Sequence, residues 1–354
     1  MTEIKLDKGQ IKKEIIIFLI ITFAATYLLD LIVYLFIGAK TTANSSIWGI
    51  TGIAHMLFPA TAAIICMVYY KTIPLSRETK IVFTFFLAFV IMFFFEGYFH
   101  PLLGNTSSLP LNLPLVSTII AVLGLLAVII LNIKKKWRNE LVISKLFVGK
   151  NLKYYIVVPL IYFIILFVSL ILNYITGLGV PAKEFNLNLF LSTFISLLIV
   201  GALLLWPAVF GEEYGWRVFL QDRLFPLFGG YKGVLLLGII WGIWHSGTIL
   251  LGNNYPGQPI LGNIAMILGT IVMGIIFSYT VLKTESVWIA VILHLITDMT
   301  QTPSELYIAT SIDPVFSFGS GIYGSVLMAI FAIILLKSNV WKIENIKGKQ
   351  IKNR

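Results

Sequence analysis

The chain has 354 residues, 58% of them hydrophobic, 14% aromatic and only 12% charged, with a mean hydropathy of +0.93. A soluble domain carries about 25% charged residues, so this composition cannot clothe a globular surface and points instead to a polytopic membrane protein. The net charge of +10 is read as Lys and Arg retained on the cytoplasmic side of a bilayer, not as affinity for nucleic acid.

In chain order, Lys5, Lys8, Lys12 and Lys13 lead into an apolar run from Ile15 to Ile37. That run is too long for a signal-peptide core and no small-residue cleavage site follows it, so an uncleaved first membrane helix is expected. A spanning helix needs about 20 mostly apolar residues. Further runs lie at 48–70, 81–99, 115–133, 155–175, 190–220, 233–250, 260–282, 287–300 and 319–336. They are continuous and not alternating, which excludes a closed β-barrel. With the N-terminus inside, 24 of the 26 Lys and Arg fall on the cytoplasmic side and only Lys40 and Lys183 outside. The expected fold is therefore an all-α polytopic membrane protein of about ten transmembrane helices with both termini cytoplasmic.

Three stretches divide the chain. Residues 1–153 hold four spans and a basic loop, 154–300 form a membrane core, and 301–354 hold the last helix and a basic tail. The seven basic residues of 134–153 read as a solvated loop resting near anionic lipid, as does the tail. The single Cys66 cannot form an internal disulfide.

Ionisable side chains inside spans are costly and usually paired or functional. Asp30, His55 and Glu96 stand alone on their helices, Glu96 near His100, and structural or interfacial roles are expected for all three. A later cluster differs. Span six ends in Phe210-Gly211-Glu212-Glu213-Tyr214-Gly215-Trp216-Arg217, span seven contains Trp241-Gly242-Ile243-Trp244-His245, and span nine contains His294-Leu295-Ile296-Thr297-Asp298.

Counting inward from Arg223, Lys232 and Lys283 places Glu212, His245 and His294 at roughly 16–20 Å along their helices, one level in the membrane. Glu213 and Arg217 are i,i+4, so the arginine can neutralise that carboxylate. Glu212 points about 100° away, toward the bundle interior, as a candidate base. His294 and Asp298 are also i,i+4, and either can orient the other. Gly211, Gly215 and Gly242 suit close helix approach. Such a grouping points to a functional site more than to a packing network.

These residues resemble the CPBP (Abi) family, the CAAX-protease and bacteriocin-processing membrane proteins that include the Ras-converting prenyl endopeptidases. Glu212 to Arg217 matches the family's EExxxR motif. Trp241 to His245 matches FxxxH with Trp in the aromatic place, and His294 to Asp298 matches HxxxN with Asp in place of Asn. Asn254-Tyr255-Pro256-Gly257 also looks like bacterial members, and the resemblance covers about residues 190–300.

The resemblance implies intramembrane peptide hydrolysis without a cofactor, in a bacterial plasma membrane. Glu212 and His245 would deprotonate a water, and His294 with Asp298 would stabilise the oxyanion. Glu213, Arg217 and Trp241 would support them. An ionised Asp298 cannot donate to an oxyanion as asparagine does, so it is either protonated or serves to orient His294. The same side chains make a zinc peptidase the second reading, although HExxH spacing is absent.

A non-catalytic bacteriocin-immunity or scaffold protein is the third reading. A transporter is the weakest, since no inverted repeat is visible. Expected partners are the bilayer and a peptide or protein substrate, either a prenylated CAAX tail or a leader or bacteriocin peptide. No nucleic acid is expected. The first four helices are expected to shape access or bind a partner, with no chemistry of their own.

Overall fold

The structure is a computed structural model and describes residues 8–99, 115–182 and 185–342. Lys5, His100, Lys183 and the tail beyond Lys342 lie outside the described residues. Among the described residues the chain is almost entirely helical, and eight segments are long and apolar enough to cross a membrane. The protein is an all-α, multi-pass membrane protein.

The first three helices are α1 (Lys8–Ile37), α2 (Ser45–Tyr70) and α3 (Arg77–Phe94), the last running on into a π turn over Phe95–Phe99. Ser76 caps α3 by accepting from the Thr79 amide. Glu96 then serves the start of α4 (Leu115–Ile133), its carboxylate accepting from the amides of Val116 and Ser117 at 2.9 Å each and from the Ser117 hydroxyl at 2.7 Å. A carboxylate at a helix N-terminus satisfies orphan donors and opposes the helix dipole, which is the structural role expected of it.

A short α5 (Lys135–Glu140) precedes α6 (Tyr154–Ile175). Beyond α6, β1 (Gly179–Pro181) pairs antiparallel with β2 (Ala309–Ser311), in register Gly179 to Ser311. This small ladder ties the end of α6 to the segment that follows α12 (Trp288–Tyr307).

The expected single span over 190–220 is broken. It consists of α7 (Leu187–Leu204), α8 (Trp206–Glu213) and a π segment over Tyr214–Leu220. The cause is Pro207 at the start of α8, which has no N–H to continue the α7 ladder and disfavours helix before it. Trp206 fixes the restart, its indole N–H donating 2.9 Å to the Ala121 carbonyl of α4.

After the π segment come α9 (Gln221–Trp244) and a five-residue α10 (Ser246–Leu250). Within α9, Gly229 takes φ 78° and ψ 168° and kinks the helix. Glycine alone adopts that backbone cheaply. Then follow α11 (Pro259–Thr284), α12, and α13 (Ile322–Leu336). The expected ninth span thus extends to Tyr307, well beyond residue 300.

Three glycines explain how the helices approach. A Cβ on Gly211 would strike the Met56 carbonyl, and one on Gly215 would strike Pro59, so α8 and the π segment lie directly on α2. Gly242 of α9 meets Ile267 and Thr270 of α11 in the same way. Close backbone contact through small residues is the usual means of helix association in lipid. It brings α2, α8, the end of α9 and α12 around one space.

Candidate active site

That space is a cavity of about 420 Å³. Glu212, His245, His294 and Asp298 all line it. Three separated motifs, on α8, at the α9–α10 junction and on α12, therefore meet at one place. Glu212 is 3% exposed and His294 8%.

Trp241 organises the first half of the site. Its indole N–H donates to Glu212 Oε2 at 2.8 Å, while its backbone carbonyl lies 2.9 Å from His245 Nδ1. A carbonyl only accepts, so Nδ1 carries the proton and Nε2 is left as an acceptor. One residue thus fixes the carboxylate and sets the tautomer of the histidine. His245 sits at the break between α9 and α10, where its amide still bonds the Gly242 carbonyl at 3.1 Å.

Glu213 organises the second half. Its Oε1 accepts from His294 Nδ1 at 2.8 Å, and its Oε2 lies 3.2 Å from Arg217 Nε. The i,i+4 pairing of Glu213 with Arg217 is as expected, but the orienting partner of His294 differs. Asp298 Oδ1 stands 3.7 Å from His294 Nε2, too far for a hydrogen bond, whereas Glu213 holds Nδ1 directly. The link joins α8 to α12 across 81 residues, a relation that spacing within one helix cannot reveal. Arg217 is fully buried and its guanidinium lies 4.3 Å from the centre of the Trp241 ring and 5.5 Å from that of Phe277. Cation–π contact with two rings replaces part of its lost hydration.

Donor atoms of Glu212, Glu213 and His294 lie within 4.8 Å of one another, close enough to hold a metal ion. Two of the three are already committed: Glu213 and His294 bond each other, and the Arg217 cation stands against Glu213. A divalent ion at this point could take His294 only through Nε2 and would face the Arg217 charge beside Glu213.

The first two helices also reach the cavity. Thr26 of α1 and Gly49, Gly52, Ile53, His55 and Met56 of α2 line it. Asp30 and His55 are not solitary, because His55 Nε2 lies 3.1 Å from Asp30 Oδ1. Their separation in sequence hid the pair. A second cation is also buried: Arg223 bonds Glu14 of α1 at 2.7 Å and is 9% exposed.

A polytopic helical membrane protein with a cavity at the meeting of three polar motifs defines the class. Residues 192–300 match the family described as Type II CAAX prenyl endopeptidase Rce1-like. The protein named CAAX prenyl protease 2 from Methanococcus maripaludis is 33% identical over 192 residues, 50% of this chain and 69% of that protein. The chain belongs to the CAAX prenyl endopeptidase family of integral membrane peptide hydrolases. The matched segment carries Glu212, Glu213, Arg217, Trp241, His245, His294 and Asp298, whereas Asp30 and His55 precede it.

Proposed function

We propose that the protein is a glutamate-dependent intramembrane endopeptidase that needs no metal. The observation that carries this reading is the placement of Trp241, which holds Glu212 by its indole and His245 by its carbonyl at the wall of one cavity. Glu212 and the free Nε2 of His245 position a water and take its proton as it attacks the scissile carbonyl. His294, with Nδ1 committed to Glu213, presents Nε2 to the developing oxyanion. Glu213 and Asp298 on either side compensate the charge of an imidazolium, whose Nε2–H is the donor the oxyanion needs. Asp298 therefore acts through His294 and does not touch the oxyanion. Arg217 and Trp241 keep Glu213 and Glu212 in place.

The substrate class follows the relative's name: a peptide bearing a prenylated cysteine near its C-terminus. An unprenylated leader or bacteriocin peptide is the alternative. A cleavage screen of prenylated and unprenylated versions of one peptide, with and without a strong zinc chelator, tests all of this together. Cleavage confined to the prenylated peptide and indifferent to chelator is expected. Chelator-sensitive cleavage with stoichiometric zinc would favour the metallopeptidase instead. The observation against that reading is the Arg217 cation beside Glu213, whose charge a divalent ion would have to face. A non-catalytic immunity or scaffold role predicts that cells keep their phenotype with Glu212→Ala and His245→Ala.

A further inference from the structure

Asp30 and His55 are 3% and 4% exposed, and they lie on helices that precede the family match. A buried pair of this kind is often no more than a lock between two helices. Three features go beyond a lock.

First, His55 lines the same cavity as Glu212, His245 and His294 and is not packed away from it. Second, α2 is opened at this point, because Pro59 has no N–H to give to the His55 carbonyl. Third, α1 also grips the chain on both sides of His245. Tyr27 donates to the Ile243 carbonyl at 2.7 Å, the Trp244 indole donates to Thr26 Oγ1 at 2.8 Å, and a Cβ on Gly247 would meet Asp30 Oδ2. The Trp244 ring stands between the two histidines, 6.4 Å from His55 and 4.7 Å from His245.

A lock alone would not need ionisable groups, since well-packed apolar residues usually serve a buried interface as well or better. The chemistry on offer is specific. The Asp30 carboxylate 3.1 Å from Nε2 favours the proton on that nitrogen, and a neutral His55 then has Nδ1 left as an acceptor for the cavity. A peptide backbone in the cavity must find partners for its N–H groups, because the surroundings are low in dielectric and an unmet donor is costly. The volume of about 420 Å³ suits a few residues of extended peptide.

We propose that His55, held by Asp30, is a substrate-binding residue that accepts a hydrogen bond from a backbone N–H of the bound peptide. This rests on the reading of the cavity as a peptidase site. Its role is in holding the peptide, not in activating water.

The test uses full-length protein carrying Glu212→Gln and a fluorescent peptide with a farnesylated cysteine followed by three residues. If Glu212→Gln still cleaves that peptide, the catalytic reading fails before His55 is touched. If it neither cleaves nor binds the peptide, the cavity is not a site for this ligand and the inference falls with it. Given binding without cleavage, Asp30→Leu with His55→Phe is added, which keeps an apolar pair of similar bulk. Affinity should fall about tenfold, the size of one lost buried hydrogen bond to a polar ligand, with Tm little changed. His55→Gln, whose amide oxygen also accepts, should restore part of it.

Unchanged affinity with a changed Tm would make the pair a lock and overturn the proposal. Should the double variant not fold, imidazole ¹⁵N signals decide, because the chain has only four histidines. The His55 signal should move when peptide is added to Glu212→Gln, and an unmoved signal would overturn the proposal.

Discussion

Two glutamate–arginine pairs lie buried among the described residues, and they are built differently. Arg223 is satisfied on every side. It donates to Glu14 at 2.7 Å, to the Phe219 carbonyl at 3.0 Å and to Thr72 at 3.1 Å, and it stacks on the Phe219 ring at 3.4 Å. Arg217 has only Glu213 at 3.2 Å and two aromatic faces, and neither of its terminal nitrogens has a hydrogen-bond partner among the described residues. The first arrangement ties α1 to α9. The second is a poor way to gain stability, because two desolvated charges are seldom repaid by one contact. Its return lies elsewhere, in Glu213 being held so that its other oxygen fixes His294. Full satisfaction marks a structural pair, and a frustrated pair beside a cavity marks a functional one.

That contrast can be broken experimentally. Glu213→Leu should have the largest effect, lowering cleavage by about 10²–10³-fold in the folded fraction, because His294 loses the acceptor that sets its orientation. It should also destabilise the protein by about 3–5 kcal/mol through the stranded Arg217. The double change Glu213→Leu, Arg217→Leu should regain that stability in thermal melts and regain none of the activity.

Arg223→Leu should cost stability on the same scale, about 3–5 kcal/mol, by stranding Glu14, yet leave turnover per folded molecule within about twofold. Here the double change Glu14→Leu, Arg223→Leu should return both, to within about 1 kcal/mol of the parent. Activity lost in that double variant would erase the distinction between the two pairs. The smallest effect is expected of Asp298→Asn. With the carboxylate 3.7 Å from His294 and Glu213 doing the orienting, turnover should change by about threefold or less. A hundredfold change would place residue 298 on the oxyanion itself.

The same two pairs show what the sequence could disclose. Glu213 and Arg217 are one helical turn apart and were legible from spacing alone. Glu14 and Arg223 are 209 residues apart, and Arg223 looked like one more cytoplasmic charge. Asp30 and His55 were hidden in the same way, each alone on its own helix.

Apolar runs located the helices well because lipid permits little else. They missed the break at Leu205, since the apolar run continues across it through Trp206 to Phe210 and only Pro207 marks the joint. Counting from flanking charges put Glu212, His245 and His294 at one level, and they do line one cavity. The count nevertheless assumed continuous helix. It ran through a π segment at Tyr214–Leu220 and across the left-handed Glu285 between α11 and α12, so His294 lies only six residues into its own helix. Which residues of α1 and α2 would line the cavity was not legible, because the wall they form is mostly glycine, isoleucine and methionine.

The central claim is that Glu212 is the base at which water is activated. Its most direct test is the cleavage rate of purified Glu212→Gln beside the parent protein on the same farnesylated peptide. Trp241 can still donate to the amide oxygen, so the fold and the position of the side chain should be kept. A rate reduced by at least about 10²-fold at unchanged Tm is predicted. Cleavage at a rate close to that of the parent protein would contradict the account.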